Sequence, residues 1–260
     1  MQLIEVPAKT GYVWFRQGIW LFRKNPLAFL TLCFAYTLVM TLIARVPYVG
    51  GLVFLILIPG VSVGFMAGCR DTIAGKPVFP TILVDGFRSY GNAAAKRLLL
   101  LGALFIAAMT AVATVATFVD SGMLAQQIAS AEDVPVKGML TFFAFSIPVA
   151  MLFWFAPILC AWHDMPVAKA FFASFVSCWR NRSAFIVYGV LWIVLLLAVV
   201  TILAILVQQL GTDESLTFAV VTTVSTIFTA MIYCSVYATY RGCFSVPAPD
   251  APDLPSAPSA

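Results

Sequence analysis

The chain offers few residues whose type and spacing could do chemistry. Its single histidine, His163, is followed directly by Asp164, and such a pair acts as a general base only beside a nucleophile or a ligand. The sequence holds no identifiable partner, no HExxH motif, no paired acids and no nucleophile constellation. The pair is better interpreted as a solvated helix boundary. We therefore expect no catalytic residue, cofactor or metal, and no enzyme activity.

Cysteines are the other reactive side chains, and six are present: Cys33, Cys69, Cys160, Cys178, Cys234 and Cys243. Their spacing matches no zinc pattern, because there is no C-x2-C and only one histidine. They fall in apolar segments or on one basic side of the chain, so no structural disulfide is expected. We interpret them as small packing residues.

Composition indicates the elements that must position these residues. Hydrophobic residues make up 62% of the chain, charged residues make up 10%, and the mean hydropathy is +0.99. Soluble proteins carry about a quarter charged residues, so the composition predicts a membrane protein. The opening residues MQLIEVPAKTGYVW lack the apolar core of a cleavable signal. The first apolar segment is therefore expected to direct its own insertion.

Six continuous apolar stretches are long enough to cross a bilayer as helices, which needs about 20 residues. Barrel strands would be about 10 residues long and would alternate in polarity. The fold class predicted is an all-α integral membrane protein. The spans are placed near 27–46, 48–69, 98–119, 139–162, 184–208 and 217–240.

Basic residues fall almost entirely on one side of this six-span threading, and only Arg45 and Lys137 fall on the other. By the positive-inside rule, that basic side and both termini are cytoplasmic. The net charge of +4 then reflects topology and anionic lipid, so nucleic acid is not expected as a partner.

Three segments are too polar to span and show an amphipathic helical pattern, near 9–24, 79–91 and 166–180. In the third, Phe171, Phe172, Phe175, Val176 and Trp179 share a face, and Lys169, Ser174, Ser177 and Arg180 lie away from it. We predict interfacial helices. The basic residues expected at lipid headgroups are Arg16, Arg23, Lys24, Arg88, Lys96, Arg97, Lys169, Arg180 and Arg182.

Each amphipathic segment leads through an asparagine junction into a pair of spans. Asn25 is expected to cap a helix that begins at Pro26, and Asn92 and Asn181 occupy the same place in the later copies. An offset of 89 residues also aligns Ile-Pro at 58–59 with Ile-Pro at 147–148, and Pro-Val at 77–78 with Pro-Val at 166–167. The pattern predicts a weak threefold internal repeat.

Small and hydroxylated residues mark the helix faces expected to pack. Gly60, Gly64 and Gly68 line one face, which favours close packing within the bundle over contact with another subunit. Pro59, Pro148 and Pro157 indicate kinks, or breaks around a binding site. The sixth span carries a polar stripe of Thr222, Thr226, Thr229 and Tyr233. We favour interhelical hydrogen bonds over a polar pathway.

The last residues, 244–260, contain prolines on a three-residue period. They cannot build a core, and we predict a disordered Pro-rich cytoplasmic tail. Recognition of the tail by a proline-binding partner is the alternative.

Four segments carry a resemblance to known proteins: LFRKNPLAFL, PGVSVGFMAGCRD, GKPVFP and MPVAKAFFASFVSCWRN. In this order they resemble a family of uncharacterised proteobacterial inner-membrane proteins, similar to YciC-like proteins and to the membrane domain of some glycerophosphodiester phosphodiesterases. The resemblance covers residues 10–243. It implies a six-helix fold in the bacterial inner membrane and supplies no catalytic residue.

Two functions remain open. One is a non-enzymatic protein that organises membrane lipid or binds a protein partner, as a monomer or a homo-oligomer. The other is a transporter or channel for a small or lipidic solute. Carriers that move ions or protons place ionisable residues deep in the membrane, and these spans hold none there. The first reading is favoured.

Overall fold

The computed structural model describes residues 2–119, 136–210 and 214–245. Most of the predicted Pro-rich tail, 246–260, lies outside the described residues. So do the acidic residues Asp120, Glu132, Asp133 and Asp213 of the two predicted outer loops.

The described chain is helical apart from one short strand pair. Strands β1 (Gln2–Leu3) and β2 (Phe244–Ser245) pair antiparallel, with Gln2 opposite Ser245. The helices, in chain order, are α1 (Thr10–Lys24), α2 (Pro26–Ala44), α3 (Gly50–Ile73), a 3-10 helix (Pro80–Val84), α4 (Asp85–Arg88), α5 (Gly91–Val119), α6 (Val136–Phe153), α7 (Ala156–Trp162), α8 (Val167–Arg180), α9 (Arg182–Leu210) and α10 (Glu214–Cys243).

Six helical stretches have the length and apolarity to cross a membrane, which confirms the six predicted spans: Pro26–Ala44, Gly50–Ile73, Gly91–Val119, Lys137–Trp162, Arg182–Gln209 and Ser215–Cys243. The largest boundary difference is at α5, which begins at Gly91 and not near 98. Hydropathy locates the apolar part of a helix, whereas Lys96 and Arg97 belong to polar turns that continue it. Arg45 follows the last residue of α2.

The fourth span is broken between α6 and α7. Pro157 has no N–H for a helical bond to Phe153, and the helix is interrupted at Trp154 and Phe155. Pro59 and Pro148, in contrast, lie inside the continuous helices α3 and α6. One of the three predicted proline sites is therefore a break.

The predicted interfacial helix near 79–91 is wrong as a single helix. The segment is a 3-10 helix followed by the one-turn helix α4. Two glycines explain the interruption. A β-carbon at Gly86 would overlap the Gly60 carbonyl, so the chain passes too close to α3 for a larger residue. Gly91 adopts φ +81, a conformation that side chains disfavour.

The chain divides into two compact units. The first consists of Met1–Leu42, Ser62–Asp85 and Arg180–Ala260. In this unit α1 packs on α9 and α10 through small residues. A β-carbon at Gly11 would overlap the Ala184 carbonyl, and one at Gly18 would overlap the Ser235 side chain. Trp14 fills the space between them at 1% exposure.

The second unit consists of Ile43–Val61 and Gly86–Trp179. Its aromatic centre is Phe153, whose ring lies 5.2 Å from that of Phe105 and 4.7 Å from that of Phe171. Gly102 lets α5 approach α3, since a β-carbon there would overlap the Ile56 carbonyl. Ring packing and glycine contacts therefore hold α3, α5, α6 and α8 together.

Candidate headgroup interface

One face of α1 carries an exposed stripe, which we call the α1 stripe: Tyr12, Arg16, Trp20, Arg23 and Lys24. Their spacing of three or four residues places them along one side of the helix. Tyr12 is 50% exposed and Trp20 is 36% exposed, although both are large aromatic residues. Aromatic and basic side chains together are typical of the boundary between membrane and water.

Four of the five stripe residues form two cation–π pairs. The Arg16 guanidinium carbon lies 5.7 Å from the centre of the Tyr12 ring, and Lys24 Nζ lies 5.3 Å from the centre of the Trp20 ring. Both are cation–π distances. Each pair presents an apolar ring beside a charge, and this combination suits the boundary between lipid chains and headgroups.

The opposite face of α1 fixes the stripe in place. Gly11, Trp14, Gly18 and Leu21 are buried, and the Trp14 ring lies 5.2 Å from that of Phe185. At its end, Lys24 Nζ donates a hydrogen bond to the Ile73 carbonyl at 3.4 Å. The helix is thus held on both sides of Trp20, and the stripe is part of a fixed surface.

The other predicted headgroup residues divide into two groups. Arg88, Lys96, Lys169 and Arg182 are exposed. Arg97 instead forms an ion pair with Asp164, and Arg180 forms one with Glu5. Carboxylates already contact these two guanidinium groups. Arg97 and Arg180 are therefore weaker candidates for binding a lipid phosphate than the basic residues of the α1 stripe.

Helix α8 presents its aromatic side outward. Phe172 is 70% exposed and Trp179 is 56% exposed, whereas Ser174 and Ser177 are buried. The sequence predicted that these faces differ. The structure adds that the serine side is buried against protein and that Phe171 contacts Phe153, whereas Phe172 and Trp179 face outward.

Ser174 completes the broken fourth span. Its hydroxyl donates to the Met151 carbonyl at 2.7 Å and accepts from the Phe155 N–H at 2.9 Å. These two backbone groups would bond directly in an unbroken helix. The serine is therefore inserted into the helical ladder. No sequence signal other than the nearby Pro157 indicated this role.

The three asparagine junctions differ. Asn25 accepts from the Ala28 N–H at 3.3 Å and caps α2 as predicted. Asn92 is exposed in the first turn of α5. Asn181 is fully buried; it accepts from the Val6 N–H at 2.8 Å and donates to the Ile4 carbonyl at 3.0 Å. Asn181 therefore fastens the N-terminal segment, which its place in the sequence did not indicate.

The α3 glycines face residues of their own chain. A β-carbon at Gly60 would overlap the Phe87 ring, one at Gly64 would lie 2.6 Å from the Ile82 carbonyl oxygen, and one at Gly68 would lie 3.1 Å from a Leu32 methyl. This is the intrachain packing that the spacing favoured. Sequence reasoning missed Gly11 and Gly18, whose seven-residue spacing on an amphipathic helix was the available signal.

The hydroxyl groups of the sixth span have more than one kind of partner. Thr226 donates to the Thr222 carbonyl of its own helix at 2.8 Å. An interhelical bond forms nearer the C-terminal end of α10, where Ser235 Oγ and Tyr188 Oη are 2.6 Å apart. Tyr233 stacks on Phe65 with ring centres 4.2 Å apart. Helix propensity and spacing could not distinguish these partners.

The residues considered first for chemistry are not assembled into a reactive centre. All six cysteines are buried, and none of them is in a disulfide. Burial lowers the pKa of the His163 imidazole, and the adjacent Asp164 contacts Arg97. Within residues 2–119, 136–210 and 214–245, no three His, Cys, Asp or Glu side chains could hold a metal ion.

Six apolar helices and an aromatic, basic surface define a multi-pass membrane protein. The chain is 55% identical over 262 positions to a "Probable inner membrane protein" of Burkholderia thailandensis, and the match covers 96% of this chain and 97% of the relative. The chain belongs to the family of this inner membrane protein. No family model matches the sequence, and no solved structure matches it.

Proposed function

We propose that this inner membrane protein is a non-enzymatic lipid-binding protein whose α1 stripe holds anionic headgroups at the cytoplasmic leaflet. The observation that carries the proposal is the pairing of Arg16 with Tyr12 and of Lys24 with Trp20 on one exposed helix face. Each basic residue near an anionic surface contributes about 1 kcal/mol to binding. The buried face of α1 keeps these charges at one place on the molecule.

The same proposal gives α1 and α8 an interfacial position, with both termini in the cytoplasm. The internal repeat is best supported for these two helices. In each case a helix ends, an asparagine follows at 25 or 181, and a span begins directly after it. A wider kinship with YciC-like proteins and with the phosphodiesterase-linked membrane domain fits this arrangement of helices.

Replacing Arg16 and Lys24 with glutamine tests the stripe. It removes both cation–π pairs, and we expect phosphatidylglycerol binding to weaken by about 2 kcal/mol, roughly 30-fold. The measurement is the phosphatidylglycerol retained relative to phosphatidylcholine when the protein is extracted in mild detergent, quantified by mass spectrometry. Phosphatidylcholine is the reference because its headgroup is zwitterionic.

The matched control replaces Arg45 and Lys137 with glutamine. These are also one arginine and one lysine, both exposed. In the topology predicted from the sequence they lie on the outer side of the membrane. They should leave phosphatidylglycerol retention unchanged. Equal losses in the two variants would show that net charge alone attracts the lipid and would reject the stripe.

A carrier for a lipidic solute is the second candidate, favoured by a groove of about 450 Å³ in the second unit. Its lining includes Leu55, Phe105, Thr110, Thr114 and Thr117. Thr114 and Thr117 donate to carbonyls of their own helix, so the groove is apolar despite its threonines. Saturable movement of a labelled lipid by reconstituted protein, lost in Ala113→Trp, would support this alternative.

A further inference from the structure

A second group of basic residues lies at the end of α10, in the first unit and outside the α1 stripe. Arg241 is in the last turn of α10, and Arg70 is in the last turn of α3. The Tyr237 hydroxyl accepts a hydrogen bond from Arg241 and lies within electrostatic range of Arg70. Arg241 is thus bonded to the Tyr237 phenol, and the charge of Arg70 acts on the same phenol.

Of these two arginines, Arg70 is the one that pairs with a carboxylate among the described residues. Its Nε lies 3.1 Å from Asp71 Oδ1. Arg241 forms no ion pair with any residue that the structure describes, and its Nη1 is buried without a hydrogen-bond partner among those residues. A buried charged donor that lacks an acceptor costs free energy. An anion would satisfy the donor.

The shape of the donor set indicates the class of anion. Guanidinium groups bind phosphate with short, charge-assisted and often bidentate hydrogen bonds. Tyr237 adds an apolar ring beside the charge, as expected where lipid chains meet headgroups. The site lies at the end of a span, where a phospholipid places its phosphate. The Ile73 carbonyl bonded by Lys24 lies in the same last turn of α3 as Arg70, which adds positive charge at that helix end.

We propose that Arg241, with Arg70 and Tyr237, binds the phosphate of one phospholipid molecule at a defined site. The inference rests on the proposed function for its ligand class alone, because none of these residues belongs to the α1 stripe. It differs from the stripe in stoichiometry. One lipid is held at the buried Nη1 of Arg241 with the exposed Arg70 beside it, whereas the stripe attracts a layer of headgroups through exposed charges.

The test is native mass spectrometry of the full chain in non-ionic detergent, titrated with dioleoyl phosphatidylglycerol. We expect one lipid to bind more tightly than the rest. Arg241→Gln should lower the affinity for that first lipid about tenfold or more, as expected for loss of a charge-assisted hydrogen bond. Arg45→Gln should leave this affinity unchanged. Dioleoylglycerol, which has the same chains and no phosphate, should not occupy the site. Binding of dioleoylglycerol at equal affinity would overturn the proposal.

Thermal unfolding separates ligand binding from a structural role. Without lipid, Arg241→Gln should melt at the same temperature as the parent or higher, because it removes the buried Nη1 donor that lacks an acceptor among the described residues. With phosphatidylglycerol, the parent should gain stability by linkage and the variant should not. A lower melting temperature of the variant without lipid, and an unchanged gain with lipid, would make Arg241 structural and overturn the proposal.

The acidic residues Asp250 and Asp253 of the C-terminal segment are the competing source of an anion. The double variant Asp250→Asn with Asp253→Asn should bind the first lipid as the parent does. Markedly tighter binding would show that the chain's own carboxylates occupy Arg241, which would overturn the lipid assignment. If Arg241→Gln loses the first lipid but the α1 stripe variant retains phosphatidylglycerol normally, the stripe proposal is rejected and the Arg241 site is not.

Discussion

Hydroxyl groups show how little residue type alone decides inside a membrane bundle. Threonines and serines recur along α10, and a hydroxyl there can bond its own helix, reach a neighbouring helix or do both. Thr226 bonds the Thr222 carbonyl of its own helix, whereas Ser235 contacts Tyr188 of α9. Ser235 also donates to the Ile232 carbonyl of its own helix at 2.7 Å, so its oxygen can accept from the Tyr188 hydroxyl at the same time. The stabilising interhelical contact therefore lies at Ser235.

We predict that Tyr188→Phe lowers the free energy of unfolding by about 1–2 kcal/mol, because it removes one buried hydrogen bond and keeps the ring. Thr226→Val should cost less, since valine has a similar shape and no interhelical bond is lost. Melting temperatures in detergent measure both, and the double variant Tyr188→Phe with Ser235→Ala tests their coupling. A larger loss in Thr226→Val than in Tyr188→Phe would contradict the assignment.

At the scale of the element, the broken fourth span depends on a side chain from another helix. Pro157 prevents a regular helix, and the Ser174 hydroxyl joins the separated Met151 and Phe155 backbone groups. The buried side of α8 must be small and polar there. Its outward aromatic side can then be used at the membrane interface.

Ser174→Ala should destabilise the protein by about 1–3 kcal/mol, because two buried backbone groups lose their shared partner. It should also speed hydrogen exchange of the Phe155 amide. The control is Ser177→Ala, also buried on α8, whose hydroxyl donates to the Ala173 carbonyl of its own helix. Exchange at Phe155 that responds equally to both changes would argue against the inserted hydroxyl.

At the scale of the whole molecule, the distribution of basic residues predicts which loops face the cytoplasm. That prediction also determines which leaflet would meet the α1 stripe and Arg241. The six native cysteines are all buried, so they should contribute little background to labelling by a thiol reagent. Introduced cysteines can therefore report the orientation directly.

Cysteines introduced at Ser130 and Thr212, both outside the described residues, should react with an impermeant thiol reagent added to intact cells with a permeabilised outer membrane. A cysteine at Ser89, which is exposed, should react only after the inner membrane is opened. Labelling at Ser89 in intact cells would invert the topology and place the α1 stripe in the other leaflet.

Membrane class and the number of spans followed from the sequence, because about 20 consecutive apolar residues have few stable alternatives to a spanning helix. The Asn25 cap was also predictable, since its partner Ala28 is three residues away. Local physics sufficed wherever both partners were close in sequence. The α1 stripe was predicted in part. The sequence indicated Arg16, Arg23 and Lys24 as headgroup residues but did not indicate Tyr12 and Trp20.

Contacts between distant segments were decided only by the tertiary structure. Asn181 bonds Val6, Ser174 bonds Met151 and Phe155, and Arg70 lies within electrostatic range of Tyr237. A polar side chain buried in the bundle must find a partner, but many partners at long separation satisfy that requirement equally in the sequence. The packing of small residues such as Gly11 and Gly18 selected among them, because it determines which helices approach closely enough to bond.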